Sequence, residues 1–141
     1  MHSDILRPMV VLIGWTLVML AWMIATRMPA MKAAGIDLRT LIGSKGTDAD
    51  RALPAHAQWK AHNYNHLMEQ PTLFYAVCTV IALGGTGNGV NAWLAWGYVI
   101  VRVVHSALQA TVNRVAPRFA LFLLSSLLLA ALTLHAVMAV F

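Results

Sequence analysis

Two long apolar runs of this chain, unbroken by a glycine-rich turn, contain no Asp, Glu, Lys or Arg: positions 8–26, between Arg7 and Arg27, and positions 119–141, from Phe119 to Phe141. A helix needs about 20 apolar residues to cross the hydrocarbon core of a bilayer. In that solvent every backbone N–H and C=O must find its partner inside the segment, which favours helices. Each run therefore predicts a membrane-spanning helix. Two further candidates are less pure: Ala55–Leu83, apolar from Pro71 onward, and Asn91–Asn113, apolar until Arg102. The chain is 60% hydrophobic and 11% charged, a balance that fits an integral membrane protein. The expected fold is all-α, a single four-helix transmembrane domain over 1–141 with helices near 6–28, 55–83, 91–113 and 117–140, forming a four-helix bundle protomer.

The first run does not read as a cleaved signal peptide. It is too long, little positive charge precedes it, and it ends in Arg27 instead of a small-residue cleavage site. Orientation follows from Lys and Arg, which gather on the cytoplasmic side. Arg27, Lys32, Arg39, Lys45, Arg51 and Lys60 lie between the first two helices, and Arg102, Arg114 and Arg118 lie around the turn between the last two. Only Arg7 and the uncharged turn Gly84-Gly-Thr-Gly-Asn-Gly89 remain for the other side, where both termini are therefore expected. Topology and anionic lipid headgroups account for the surplus of basic charge, so no nucleic acid is implied as a partner. Pro29–Pro54 is the sizeable soluble segment, with Met31–Ile42 a candidate interfacial helix and Gly43–Asp50 a loop. Cys78 stands alone in an apolar stretch and reads as a small buried hydrophobe, which leaves no disulfide within the chain.

Polar groups inside the spans are costly and therefore informative. Arg102, His105, Gln109 and Asn113 are spaced 3, 4 and 4 apart, which places them on one arc of roughly 80° of the third helix. His62, Asn65, His66 and Glu69 cover an arc of roughly 100° on the second. Both rows fall in the cytoplasmic half of their helices and are placed to face each other. Glu69 is the only acid within the spans, and Arg102 is its expected partner, because a lone carboxylate in hydrocarbon is costly or takes a proton. An ion pair explains those two residues and leaves His62, Asn65, His66, His105, Gln109, Asn113 and Arg118 unexplained at the same level, so the rows mark a site. His62, His66, Glu69 and His105 are also zinc-type donors, but such spacing arises readily on a polar helix face and no metal is assigned. Pro71 is expected to kink the second helix and free the carbonyl of Leu67. Pro117 suits the first turn of the last helix, and the short turn from Asn113 to Arg118 makes the third and fourth helices an antiparallel hairpin.

The string Asn65-His-Leu-Met-Glu69-Gln-Pro71-Thr-Leu-Phe74-Tyr resembles a signature of the MAPEG family, the membrane-associated proteins of eicosanoid and glutathione metabolism. So does Arg102-x-x-His105 followed by Asn113-Arg114-x-x-x-Arg118, and both are similar to the strings of short bacterial members. The likeness covers nearly the whole chain in length and helix count, with specific motifs on helices two to four and weak ones on the first. It implies a MAPEG-like protomer in a homotrimer of a bacterial inner membrane, in contact with membrane lipids. Glutathione, as co-substrate, would sit between neighbouring protomers near the cytoplasmic face. Carried over residue by residue, the resemblance assigns glutathione binding to Arg27, Asn65, His66, Glu69, Arg102 and His105. It adds His62 and Gln109, which stand where enzymatic relatives often carry Arg and Tyr, and gives Arg118 the catalytic role of stabilising the thiolate. Glutathione has two carboxylates and one amine, so several cations and one carboxylate suit it, and its thiol attacks only as thiolate.

Two functions follow from the resemblance. One is a glutathione transferase or peroxidase acting on a lipophilic small-molecule substrate that enters from the bilayer. The alternative is a non-catalytic lipid-binding or scaffold trimer with a vestigial glutathione site, which Gln109 and Phe122 in place of Tyr support. Small residues on the third helix and Ser125-Ser126 on the fourth permit close helix contacts but do not count protomers.

Overall fold

A computed structural model describes residues 3–141, with the side chains of Ala49 and Asp50 outside the description. The described residues form helices α1 (Leu6–Ala33), α2 (Ala55–Leu67), α3 (Gln70–Leu83), α4 (Val90–Thr111) and α5 (Val115–Val140), with a 3₁₀ turn at Gly46–Asp50. No strand occurs among them. The second expected span is thus two short helices, α2 and α3, parted at Met68–Glu69. Pro71 sits in the first turn of α3, and Glu69 before it adopts φ −88°, ψ −97°, outside the helical region. The proline ends one helix and starts another, more than the kink anticipated.

The ends of α1 and α4 lie together. The amide of Ile5 donates to the carbonyl of Gly87 (2.9 Å), so both helices start at one end of the bundle and run parallel. α2, α3 and α5 run back against them. α4 packs against α5, α2 and α1, and α3 packs against α5. It is the central column because its buried residues recur at helical spacing along its whole length, from Asn91 through Tyr98, Arg102 and His105 to Gln109.

α1 and α5 are each long and apolar enough to cross a membrane, and their most apolar windows are only 11% and 22% buried. The core helix of a soluble protein would hide those faces. Here Val10 and Leu17 of α1 and Leu127, Leu134 and Met138 of α5 are each about 60% exposed or more, apolar surface that water does not favour and lipid does. This is a membrane protein. Lipid tails solvate Leu as well as a protein core does, so packing and interhelical hydrogen bonds decide how the columns associate. Phe74 of α3 stacks on Tyr98 of α4 at 4.3 Å and 13°, both fully buried.

The α1–α2 connection differs from the anticipated interfacial helix. α1 itself continues past Pro29 to Ala33 and then closes on Gly35, whose φ is +70°. Gly35 donates to the Lys32 carbonyl (3.1 Å) and Ile36 to the Met31 carbonyl (3.0 Å), the paired bonds of a Schellman cap. A left-handed residue is needed at that position, and glycine adopts it without Cβ strain. The cap reverses the chain, so Ile36–Ile42 runs back as turns and loop.

Candidate functional site

Three polar layers cross the bundle where α4 faces α2 and α3. In the first, fully buried Ser106 accepts from the Asn63 side-chain amide (2.8 Å) and the Trp15 indole N–H (2.9 Å), joining three columns through one hydroxyl. In the second, fully buried Arg102 donates from Nη2 to the backbone carbonyl of His66 (3.0 Å), with Nη1 3.5 Å from His66 Nε2. In the third, the Gln70 side-chain carbonyl accepts from Tyr98 (3.3 Å) and Ser125 (3.1 Å), while its amide donates to Ser126 (2.8 Å). The break at Met68–Glu69 serves the second layer, because a carbonyl at the end of α2 is open to a side-chain donor. That carbonyl belongs to His66, one residue before the one Pro71 was expected to free.

The expected Glu69–Arg102 pair does not form. The Glu69 side chain is 67% exposed and pairs instead with His66 Nδ1 at 2.8 Å, across the break. Arg102 therefore reaches α2 through a backbone carbonyl and an imidazole. His66 links the two groups, one ring nitrogen toward the carboxylate and the other toward the guanidinium.

The second-helix row is also turned away from its expected partner row. His62, Asn65 and Glu69 are exposed, and only His66 reaches α4. α2 buries Ala57 and Ala61 on one flank and Asn63 and Leu67 on another. The alanines carried no signal for Asn63, which lies about 120–160° around the helix from them; which side of α2 is packed was decided by its neighbours. Gln70, Tyr98, Ser106 and Trp15 were likewise missed, because none of them falls in either polar row. The α4 row behaves as expected, with Arg102, His105 and Gln109 all buried.

At the α4–α5 turn, Asn113 takes a positive φ of 54° and donates its N–H to the Leu108 carbonyl (2.8 Å), closing α4. Asn tolerates this left-handed conformation better than most residues. Its side-chain oxygen accepts from Arg118 Nη1, so the residue that ends α4 also holds the arginine of α5's first turn. Arg118 Nε is buried without a partner. Beside it opens a groove of about 220 Å³ lined by His66, His105, Val115, Arg118, Phe119 and Phe122. The His66 ring lies 5.0 Å from that of His105 and 5.9 Å from that of Phe122. One wall is nitrogen-rich and the other aromatic.

His66, His105 and Arg118 thus converge with Arg102 behind them. Gln109 is buried one turn further along α4, its side-chain oxygen unpartnered. Arg27 does not line this groove; its guanidinium donates to the Gly46 carbonyl (2.5 Å) in the α1–α2 connection. Among the described residues no three His, Cys, Asp or Glu side chains gather closely enough to hold a metal ion.

No curated protein and no solved structure matches the chain. A sequence model of the MAPEG family, by contrast, matches residues 5–138, from the start of α1 to the last turn of α5 and through every element that builds the groove. The chain belongs to the MAPEG family.

Proposed function

We propose that this protein is a glutathione-dependent transferase or peroxidase acting on a lipophilic electrophile at the groove between α4 and the start of α5. The observation that carries the reading is the meeting of Arg118, His66 and His105 with Phe119 and Phe122 in one open groove. A thiolate nucleophile requires local positive charge, and Arg118 supplies it from the first turn of α5, where the helix dipole adds to it. The aromatic wall suits an apolar electrophile arriving from lipid. In the transferase reaction the sulfur forms a bond to the electrophilic carbon, and the leaving group departs with the bonding pair.

The groove of one chain is smaller than the roughly 300–1,000 Å³ of a typical ligand pocket. The outward-facing His62, Asn65 and Glu69 would complete a site formed against a neighbouring copy, which supports the homotrimer implied by the family resemblance. Arg27 would join from the same interface or after release from Gly46.

A second reading, a non-catalytic lipid-binding trimer, is favoured by one observation: Phe122 brings no hydroxyl to the groove, and Gln109 is buried behind it. Titrating the detergent-solubilised protein with glutathione, and assaying an aryl halide and a lipid hydroperoxide, separates the two. Saturable binding with turnover that Arg118→Ala abolishes is the expected result. Binding without turnover would favour the second reading, and no binding or thermal shift would end the enzymatic one.

A further inference from the structure

A larger concavity lies away from this site. A groove of about 590 Å³ opens where the Schellman cap of α1 folds the chain back on itself. Met28, Met31, Ile36 and Leu38 line its apolar part, and Lys32 and Arg39 stand on it. The 47% exposed Met28 and 52% exposed Leu38 leave that lining open. It is built by local sequence. The cap brings Ile36 onto the turn that carries Met31, the apolar contact that accompanies this motif, and the reversal sets Leu38 and Arg39 beside it.

The charge pattern names the occupant's chemistry. Lys32 and Arg39 make no ion pair among the described residues. Asp37, which also lines the groove, is an unfavourable carboxylate for an anion, but its Oδ1 already accepts from the Arg39 amide (2.9 Å). An adjoining concavity shares Met31 and Leu38 and adds Arg27 and Lys45 to the same neighbourhood. Two cations beside an apolar trough, at the end of a membrane-spanning helix, match an amphiphile with an anionic head and a hydrocarbon tail.

We infer that this groove is a specific site for an anionic phospholipid of the adjacent leaflet. The phosphate rests on Lys32 and Arg39, and the start of an acyl chain lies along Met28, Met31, Ile36 and Leu38. The phosphate is thereby fixed at the α1 terminus from which the connection to α2 departs, and the lipid holds that connection against the membrane.

The test uses the full-length, delipidated protein in detergent, with occupancy read by native mass spectrometry. The probes are phosphatidylglycerol and phosphatidylcholine with identical chains. At about fivefold per cation, the wild type should prefer the anionic lipid by about 25-fold at one site. Lys32→Gln/Arg39→Gln should reduce that preference to near unity. Arg51→Gln, which removes an exposed cation of the same connection outside the groove, should leave it unchanged. Equal binding of the two lipids by the wild type would overturn the inference. So would an Arg51→Gln loss as large as one groove cation's share, which would mean diffuse charge without a site. Full competition by glycerol phosphate, which has no chains, would also overturn it by reducing the site to a free-anion contact. All three substitutions change exposed side chains, and an unchanged helical circular dichroism spectrum verifies the fold of both variants.

Discussion

Replacing Glu69 by Gln discriminates sharply between two accounts of how α2 is held to α4. If Glu69 and Arg102 formed a buried pair, removing the carboxylate would strand a buried cation and cost about 3–5 kcal/mol. In the structure the carboxylate is 67% exposed and, among the described residues, pairs with His66 at 2.8 Å. An exposed ion pair contributes about 0.2–1 kcal/mol. Gln keeps a carbonyl that accepts from His66 Nδ1–H, so the loss should lie toward the lower end of that range. Arg102 keeps its bond to the His66 carbonyl in either case. The measurement is unfolding in mixed detergent micelles, followed by the fluorescence of the five tryptophans. The expected destabilisation is under about 1 kcal/mol, less than a factor of ten in the unfolding equilibrium. A loss of about 3 kcal/mol or more, rescued by the double variant Glu69→Gln/Arg102→Met, would refute the reasoning and restore the ion pair.

Asn113 should separate stability from chemistry. Asn113→Ala places an ordinary side chain at positive φ and should cost about 1–2 kcal/mol. Asn113→Gly should recover most of that stability while leaving Arg118 untethered, so any glutathione turnover should stay reduced in both variants. Ser106→Ala removes the shared acceptor of Trp15 and Asn63 and should cost about 1–3 kcal/mol, with a shift in tryptophan emission; an unchanged spectrum and midpoint would count against the first polar layer. At Gly87 an added Cβ would fall 1.8 Å from Ser3 Oγ and 2.8 Å from Ile5 Cγ2. Gly87→Ala should therefore displace the segment before α1 and raise hydrogen exchange at the Ile5 amide, with protection in α4 and α5 intact.

The first and last spans were readable because hydropathy over about 20 residues is a property of the chain alone. The α1 and α5 runs became helices of 28 and 26 residues, and the polar row Arg102–His105–Gln109 became the buried face of α4. That row was legible because a polar side chain on an apolar helix has few tolerable environments. The family motif was legible too, since Asn113 and Arg118 act within one turn and need no distant partner to be placed.

The sequence alone determined the long helices α1, α4 and α5, which face of α4 is polar and which family the motifs resemble. The partner of each polar group was decided only in three dimensions. Pro71 announced a disturbance, but the backbone at Glu69 determined how far α3 is turned relative to α2, and with it that Gln70 points inward while Glu69 points out. Charge alone proposed Glu69 for Arg102. The break instead offered a carbonyl at the right height, and a backbone oxygen held there makes the bond without burying a second charge. Periodicity fixes a residue's angle on its own helix, but rotation of that helix against its neighbours is set by close packing at residues such as Ala57 and Ala61. Those contacts join positions far apart in the chain, where one-dimensional spacing carries no information.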